Sequence, residues 1–204
     1  MNLELLWPSA VWSLIASLGP LVAPYGRRVI ERRRPEWVAR VVLLVPWLHG
    51  PGLAFAALFA GSLPARALGI FGSGGWVGWV AGALVVLVLF FSARAALSRW
   101  PIELEVDRYD VVVLDEPRWA LYRGTGWLWA GSFAIGSLVG LGLALIEWSV
   151  TWRVWQPENR RLVPACYMLA RIGVSALVFT LTGNLWLTML LQVGLAVLAN
   201  EEPR

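Results

Sequence analysis

Long apolar stretches separated by short charged segments dominate the pattern of this chain of 204 residues. About 20 consecutive apolar residues are needed to cross the hydrocarbon core of a membrane as a helix. Four stretches have this length, at roughly 6–24, 41–63, 76–98 and 126–150. A further apolar block is longer than one crossing and is divided at Gly183 and Asn184, which predicts a hairpin of two short spans at 165–182 and 184–199.

The pattern therefore predicts an all-α fold: one integral membrane domain over residues 1–204, with about six spans. The segment 102–125 is the exception, because apolar and acidic residues alternate at its start, and it is interpreted as amphipathic or re-entrant. Pro117 suits the first turn of a helix, so we expect the next helix to begin near Asp115 or Glu116.

Composition supports a membrane location. Hydrophobic residues make up 58% of the chain and charged residues only 15%, with a mean hydropathy of +0.65, which is far more apolar than a soluble domain. The bilayer is thus the first expected partner. The sequence contains no nucleic-acid-binding motif, so no nucleic acid partner is expected. Many of the 14 tryptophans lie near span ends, which is typical of anchoring at the membrane interface.

Arginine distribution predicts the orientation, since short arginine-rich loops stay on the cytoplasmic side. The segment 25–40 is predicted to be cytoplasmic, which places a multi-pass chain in the cytoplasmic (inner) membrane. Its arginines are Arg27, Arg28, Arg32, Arg33, Arg34 and Arg40. Six spans would then put both termini outside, together with the arginine-containing loop 151–161. An additional crossing between 102 and 125 would remove that conflict.

Charged residues within or beside the apolar stretches are the candidates for a site. Glu116, Trp119 and Arg123 fall at helical positions i, i+3 and i+7, so they share one face. One interpretation is a buried acid held by an arginine; the other is an interfacial ion-pair cluster that closes the entrance of the helix. Because seven helical residues span about 10 Å along the axis, a direct bond between Glu116 and Arg123 is not expected.

Two more charges fall in the C-terminal half. Glu147 lies next to Trp148, so it is placed near the interface, where it reaches headgroups or a partner. Arg171 lies deeper in an apolar block and needs a protein partner, for which Glu147 and Glu116 are the candidates.

Small residues recur every four positions on the predicted helix 126–150. They are Ser132, Gly136, Gly140 and Ala144. Such a stripe allows another helix to approach closely, so Gly136 and Gly140 are predicted to form a packing seam.

His49 is the only histidine and lies beside Gly50 and Pro51, where the second apolar stretch is expected to kink. A single imidazole makes no two-histidine metal site, and no metal or other cofactor is expected. Axial cofactor ligation by His49 is the alternative to a bond with a backbone carbonyl.

Two motifs carry a resemblance to a known family. "YRG" at 122–124 and "TGNLWLTMLLQVGLAVLAN" at 182–200 resemble the CPBP intramembrane proteases, which include CAAX prenyl endopeptidases. The resemblance covers roughly 107–200. It implies a polytopic helical fold in which paired glutamates of an EExxxR motif, and histidines of later FxxxH and HxxxN motifs, activate water inside the membrane.

The chain departs from that pattern at the positions that matter for catalysis. If Arg123 and Gly124 match the motif, its glutamates fall on Arg118 and Trp119, and the last motif histidine falls on Gln192. Glu116, Arg123 and Gln192 remain the candidates for catalysis. Arg118, Trp119, Glu147, Arg171, Asn184, Gly136 and Gly140 are the candidates for structural or partner-binding roles.

The leading hypothesis is therefore a tryptophan-rich pseudoenzyme that acts as an accessory subunit and binds other membrane protein subunits. An active CPBP-type intramembrane endopeptidase with a rearranged site is the first alternative. A small-molecule or lipid transporter, suggested by broken helices and embedded charges, is the second.

Overall fold

The computed structural model describes residues 3–33, 48–71, 75–99, 109–155 and 162–200. Within these ranges the chain forms helices and no strand, which confirms the predicted all-α class for them. The helices are α1 (Leu3–Arg33), α2 (Leu53–Phe59), α3 (Gly75–Arg99), α4 (Tyr109–Ala130), α5 (Phe133–Trp155), α6 (Leu162–Thr182) and α7 (Leu185–Asn200). A π-helical turn, Leu48–Gly52, leads into α2.

Two of these helices are long and apolar enough to cross a membrane. They are α3 over Gly75–Ala95, with a mean hydropathy of 2.2, and α5 over Phe133–Thr151, with 1.8. Only 11% and 28% of these stretches are buried, whereas the core helix of a soluble protein is mostly buried. Shorter apolar helices cover Leu48–Phe59, Cys166–Thr182 and Leu185–Leu198. The count of six spans therefore stays a prediction.

The predicted start of the helix that carries Glu116 was wrong. Helix α4 begins at Tyr109, so Pro117 lies inside it and not in its first turn. Proline has no backbone N–H, so this turn of α4 has one hydrogen bond fewer than an uninterrupted helix. Residues 109–125, expected in an amphipathic or re-entrant segment, thus belong to a central helix, while 102–108 lie outside the described residues.

The predicted single span 126–150 is also broken. Helix α4 ends at Ala130, and α5 starts at Phe133. Gly131 has a φ of 68° and donates its N–H to the Trp127 carbonyl at 2.7 Å, a helix ending that glycine adopts without steric penalty. The chain reverses here, so α4 and α5 form an antiparallel hairpin.

The predicted second span, 41–63, is interrupted as well. Its described part contains the π-helical turn with Pro51 and the seven residues of α2, which ends at Phe59. Gly61 then has a φ of 68°, and a loop continues to residue 71. The kink expected beside His49 is therefore present, whereas an uninterrupted helix through residue 63 is not. Residues 41–47 lie outside the described part.

Glycines hold the α4–α5 hairpin together at close range. A Cβ atom on Gly136 would lie 2.7 Å from the Trp127 backbone nitrogen, and one on Gly140 would lie 2.9 Å from that of Arg123. On the facing helix, a Cβ on Gly126 would lie 3.0 Å from the Gly136 Cα. The stripe of small residues therefore lies where two backbones approach each other, and α4 is the helix that it faces.

Helix α1 runs antiparallel to α4. The Ser13 and Thr125 hydroxyls are 2.8 Å apart, and Thr125 also donates to the Ser9 carbonyl at 3.2 Å. Further along α1, Gly19 lies against the His49 ring. Gly50, which follows His49, lies against the Leu114 carbonyl of α4. The C-terminal end of α1 therefore lies at the end of the bundle where α4 begins.

Helices α3 and α5 finish at that same end. Gly82 of α3 lies against Thr182 and Leu187 beside the α6–α7 turn, whereas Phe90 is level with Gly194 further down α7. We call this the arginine-rich end, because Arg27, Arg28, Arg32, Arg33, Arg94, Arg99 and Arg153 lie in the helix ends there. The start of α1 and the loop 60–71 lie at the opposite end.

This arrangement changes the predicted topology. An additional crossing within 102–125 was the alternative in the sequence analysis, and α4 runs the length of the bundle there. Because of this extra helix, the C-terminal ends of α1 and α5 lie at the same end of the bundle. The start of α1 and the end of α7 lie at opposite ends of the bundle, whereas six spans would place both termini on one side. The two differ because the expectation counted 126–150 as one span and 102–125 as none.

The glycine seam predicts a position-specific response to added methyl groups. Gly136→Ala and Gly140→Ala should each lower the free energy of unfolding by about 1–3 kcal/mol, because backbone atoms must move apart. The matched control is Gly142→Ala on the same helix, where a Cβ meets nothing within 4 Å. Unfolding in detergent micelles gives the measurement. Equal tolerance of all three changes would argue against the seam.

The bundle direction predicts opposite accessibility for its two ends. In a Cys166→Ser background, Ile30→Cys should be protected from an impermeant thiol reagent added to intact cells, and Arg66→Cys should be labelled. Arg66 is exposed in the loop 60–71 and Ile30 lies in α1 at the arginine-rich end. Labelling of both positions from one side would contradict the arrangement.

Candidate functional site

Helix α4 carries most of the charged candidates into the interior. Glu116 is completely buried and Arg123 is 2% exposed, although both side chains are charged in water. They lie on the face that meets α6, whereas Arg118 and Tyr122 lie toward α5. Burial of an isolated charge is very costly, so the position of each partner decides what this site does.

The first group joins Glu116, Arg123 and Ser175. Arg123 forms a buried ion pair with Glu116 through Nη2 and donates from Nη1 to the Ser175 hydroxyl at 2.8 Å. Ser175 in turn lies 2.8 and 2.7 Å from the two carboxylate oxygens of Glu116. The Arg123 guanidinium also covers the Phe179 ring at 4.2 Å from its centroid.

This direct pairing corrects the expectation for Glu116 and Arg123. The two residues are two turns apart, but the long arginine side chain lies along the helix and reaches the carboxylate. Ser175 of α6 connects both groups from the side. The axial distance of about 10 Å between the two Cα atoms predicted no direct bond. That prediction was wrong because it ignored the length of the two side chains.

The second group joins Asp115, Arg118, Glu147 and Tyr122. Arg118 Nη2 lies 2.7 Å from Asp115 Oδ1 and 2.9 Å from Glu147 Oε1, so one guanidinium nitrogen bridges α4 and α5. The Tyr122 hydroxyl donates to the other Glu147 oxygen at 2.7 Å. Glu147 is 8% exposed. Its carboxylate is thus directed to interior partners instead of the headgroups considered for it.

The third group centres on Arg171 of α6. Its Nε donates to Gln192 Oε1 at 3.0 Å, while Gln192 Nε2 donates to the Arg171 carbonyl at 2.9 Å. Arg171 Nη2 lies 3.5 Å from Asp115 Oδ2, and the Trp119 and Tyr167 rings flank the guanidinium. Arg171 does have protein partners, but they are Asp115 and Gln192, not the Glu147 or Glu116 that were considered.

Together these six ionisable side chains form what we call the charge cluster: Asp115, Glu116, Arg118, Arg123, Glu147 and Arg171. Three acids face three arginines, so the cluster is neutral when all are ionised. Each carboxylate contacts at least one guanidinium. The arrangement balances charge and links α4 to α5 and α6.

Asn184 lies outside the charge cluster, at the turn between α6 and α7. Its side-chain oxygen accepts hydrogen bonds from the Trp186 and Leu187 backbone N–H groups, which caps the start of α7. The preceding Gly183 has a φ of 56°, which suits glycine. The predicted division of the last apolar block at these two residues is confirmed, and Asn184 has a structural role.

His49 lies in the π-helical turn and packs against Gly19 of α1. Its Nδ1 atom is buried and has no hydrogen-bond partner, so the bond to a backbone carbonyl expected for the imidazole is not formed at this nitrogen. Within the described ranges, no three His, Cys, Asp or Glu side chains come close enough together to hold a metal ion.

Sequence reasoning missed Ser175 and gave Asp115 no role. Ser175 follows Arg171 by one helical turn, so both lie on the face of α6 that meets α4, and this spacing was the available signal. Asp115 follows apolar residues without an alternating pattern. Arg118, three residues later on the same helix, was a visible partner, whereas only the tertiary structure shows that Asp115 also faces Arg171.

Searches among protein families, curated proteins and solved structures find no match to this chain. The likeness to CPBP proteases therefore stays a hypothesis that rests on the motif residues themselves.

The Glu116–Arg123 pair predicts strong non-additivity. Glu116→Leu or Arg123→Met alone should lower the free energy of unfolding by about 3–5 kcal/mol, because each leaves an unpaired buried charge. The double variant should cost less than either single variant, since an apolar pair replaces an ion pair. Glu4→Gln, at an exposed position, serves as the control and should change stability by less than about 0.5 kcal/mol. A double variant that loses the sum of both single effects would contradict the pairing.

Proposed function

We propose that this chain is a non-catalytic, multi-pass protein of the cytoplasmic membrane that acts as an accessory subunit by binding other membrane proteins. The fold hypothesis behind it is a degenerate CPBP-like scaffold with about six spans. The two apolar helices with largely exposed surfaces support a membrane location, because such surfaces are unfavourable in water.

The single observation that carries the non-catalytic part is the state of Glu116. Both of its carboxylate oxygens lie within hydrogen-bonding distance of Ser175, one also pairs with Arg123, and the side chain is completely buried. A general base must reach the proton that it removes from water or substrate. A carboxylate enclosed by an arginine and a serine is poorly placed for that task.

Gln192 supports the same proposal. It occupies the position where the resembling family carries its last motif histidine, but both ends of its amide group bond to Arg171. An imidazole at such a position would be available for proton transfer, whereas this amide connects α7 to α6. Glu116 and Gln192, the candidates for catalysis, are thus bonded to Arg123, Ser175 and Arg171 in this chain.

The outer surface of α3 supports the binding part of the proposal. Side chains along its length are large, apolar and exposed. Examples are Trp76 at 77%, Leu84 at 59% and Val88 at 65%. Such a surface contacts lipid or another transmembrane helix, and among the described residues α3 packs mainly against α6 and α7.

Photo-crosslinking in cells tests the binding role. A photoreactive residue at Leu84 or Val88 of α3 should give a discrete protein adduct at native expression level. The matched control is Leu138 of α5, which is as exposed as Val88 at 65% and should give no such adduct. Absence of protein adducts at both α3 positions would contradict the proposal.

A peptidase assay tests the non-catalytic role separately. The purified chain in lipid nanodiscs should leave membrane-proximal peptides intact. A reproducible cleavage that is present in the wild type and lost in Glu116→Gln would establish the endopeptidase alternative instead.

A further inference from the structure

The charged residues of the described ranges separate into three levels along the bundle axis. The charge cluster at the interior level contains three acids and three arginines. The opposite end contains one acid and one arginine, Glu4 and Arg66. The arginine-rich end contains seven arginines and two acids, Glu31 and Asp110. Within these ranges the excess positive charge therefore belongs to one end of the molecule.

The length of α1 indicates where part of this charge lies relative to a membrane. Its 31 residues give a helix of about 46 Å, whereas the hydrocarbon core is about 30 Å thick. A crossing that starts at the first turn of α1 would leave about ten residues at its C-terminal end beyond the hydrocarbon. Arg27, Arg28, Arg32 and Arg33 fall within the last ten residues of α1.

We propose that the arginine-rich end binds the phosphate groups of anionic phospholipids in the adjoining membrane leaflet. The proposal rests on the membrane location proposed above and does not depend on the partner-binding role. Four to eight basic residues just beyond a transmembrane helix are enough to attract anionic lipid. The chain contributes its arginines there from the ends of three helices, α1, α3 and α5.

Residue type strengthens the assignment to phosphate. All 17 basic residues of the chain are arginine. The planar guanidinium makes paired hydrogen bonds to phosphate oxygens, whereas a lysine ammonium acts as a point charge. Three helices bring these residues to the same end of the bundle, and arginines distributed over several helix ends suit a layer of headgroups better than one small anion.

Thermal unfolding of the full chain in uncharged detergent provides the test. Added phosphatidylglycerol should raise the unfolding midpoint, and the same amount of phosphatidylcholine should raise it much less. Raising the ionic strength from about 0.1 to about 1 M shortens the Debye length from about 10 to about 3 Å, so the difference between the lipids should shrink. This part requires no variant.

Variants locate the effect. Replacement of Arg27, Arg28, Arg32 and Arg33 by Gln should remove most of the response to phosphatidylglycerol and leave the midpoint in phosphatidylcholine unchanged. Arg94→Gln and Arg66→Gln form a matched pair of single changes, since both residues are exposed but lie at opposite ends. Arg94→Gln should weaken the response, and Arg66→Gln should not.

Several results would overturn the inference. One is an equal shift of the unfolding midpoint by both lipids, and another is a difference between the lipids that does not depend on salt. A third is an undiminished response to phosphatidylglycerol in the fourfold variant. An equal shift caused by inorganic phosphate would indicate a free anion as the ligand.

Alkaline carbonate extraction of membranes separates this inference from the proposed function. A chain released by carbonate refutes the membrane location itself, whereas a retained chain without anionic preference refutes only the lipid site.

Discussion

Neutralisation of buried charge is the constraint on which this bundle depends. Arg123 and Arg171 lie in an interior where an unpaired guanidinium would be strongly destabilising, so each must meet its acid at short range. The acids Asp115 and Glu116 are adjacent on α4, whereas Arg171 comes from α6. Side chains of α6 must therefore extend to α4 at the level that brings Arg171 to Asp115 and Ser175 to Glu116.

The glycine seam satisfies a second condition for the same cluster. Arg118 reaches Glu147 at 2.9 Å only because α5 lies close to α4, and Gly140 allows that approach by leaving space beside Arg123. Packing and electrostatics thus depend on each other. A larger residue in the seam would separate the helices and lengthen the ion pair that links them. This coupling explains why polar candidates and small residues occur on facing sides of one helical hairpin.

The same coupling bears on function. Proton transfer requires a group that can change its partner, whereas each acid of the charge cluster contacts a guanidinium that also holds a helix or a neighbouring turn in place. Loss of any one contact would affect the fold as well as the site. An interior organised in this way suits a stable scaffold whose interactions take place on its outer surfaces. The exposed side of α3 and the arginine-rich end are the two surfaces for which binding is proposed.

The sequence by itself determined the helical class, the apolar character, the turn at Gly183 and Asn184, and most members of the charge cluster, but not Asp115. These features follow from local composition and spacing, which act within a few residues of the chain. The tertiary structure decided that Glu116 pairs with Arg123, that Asp115 faces Arg171, and that Ser175 joins them, because those contacts depend on side-chain reach and on helices brought together from distant segments. It also decided the course of α4. Proline is the stronger helix breaker in isolation, yet α4 continues through Pro117 and ends before Gly131, because contacts between helices and not local propensity alone set where a helix ends.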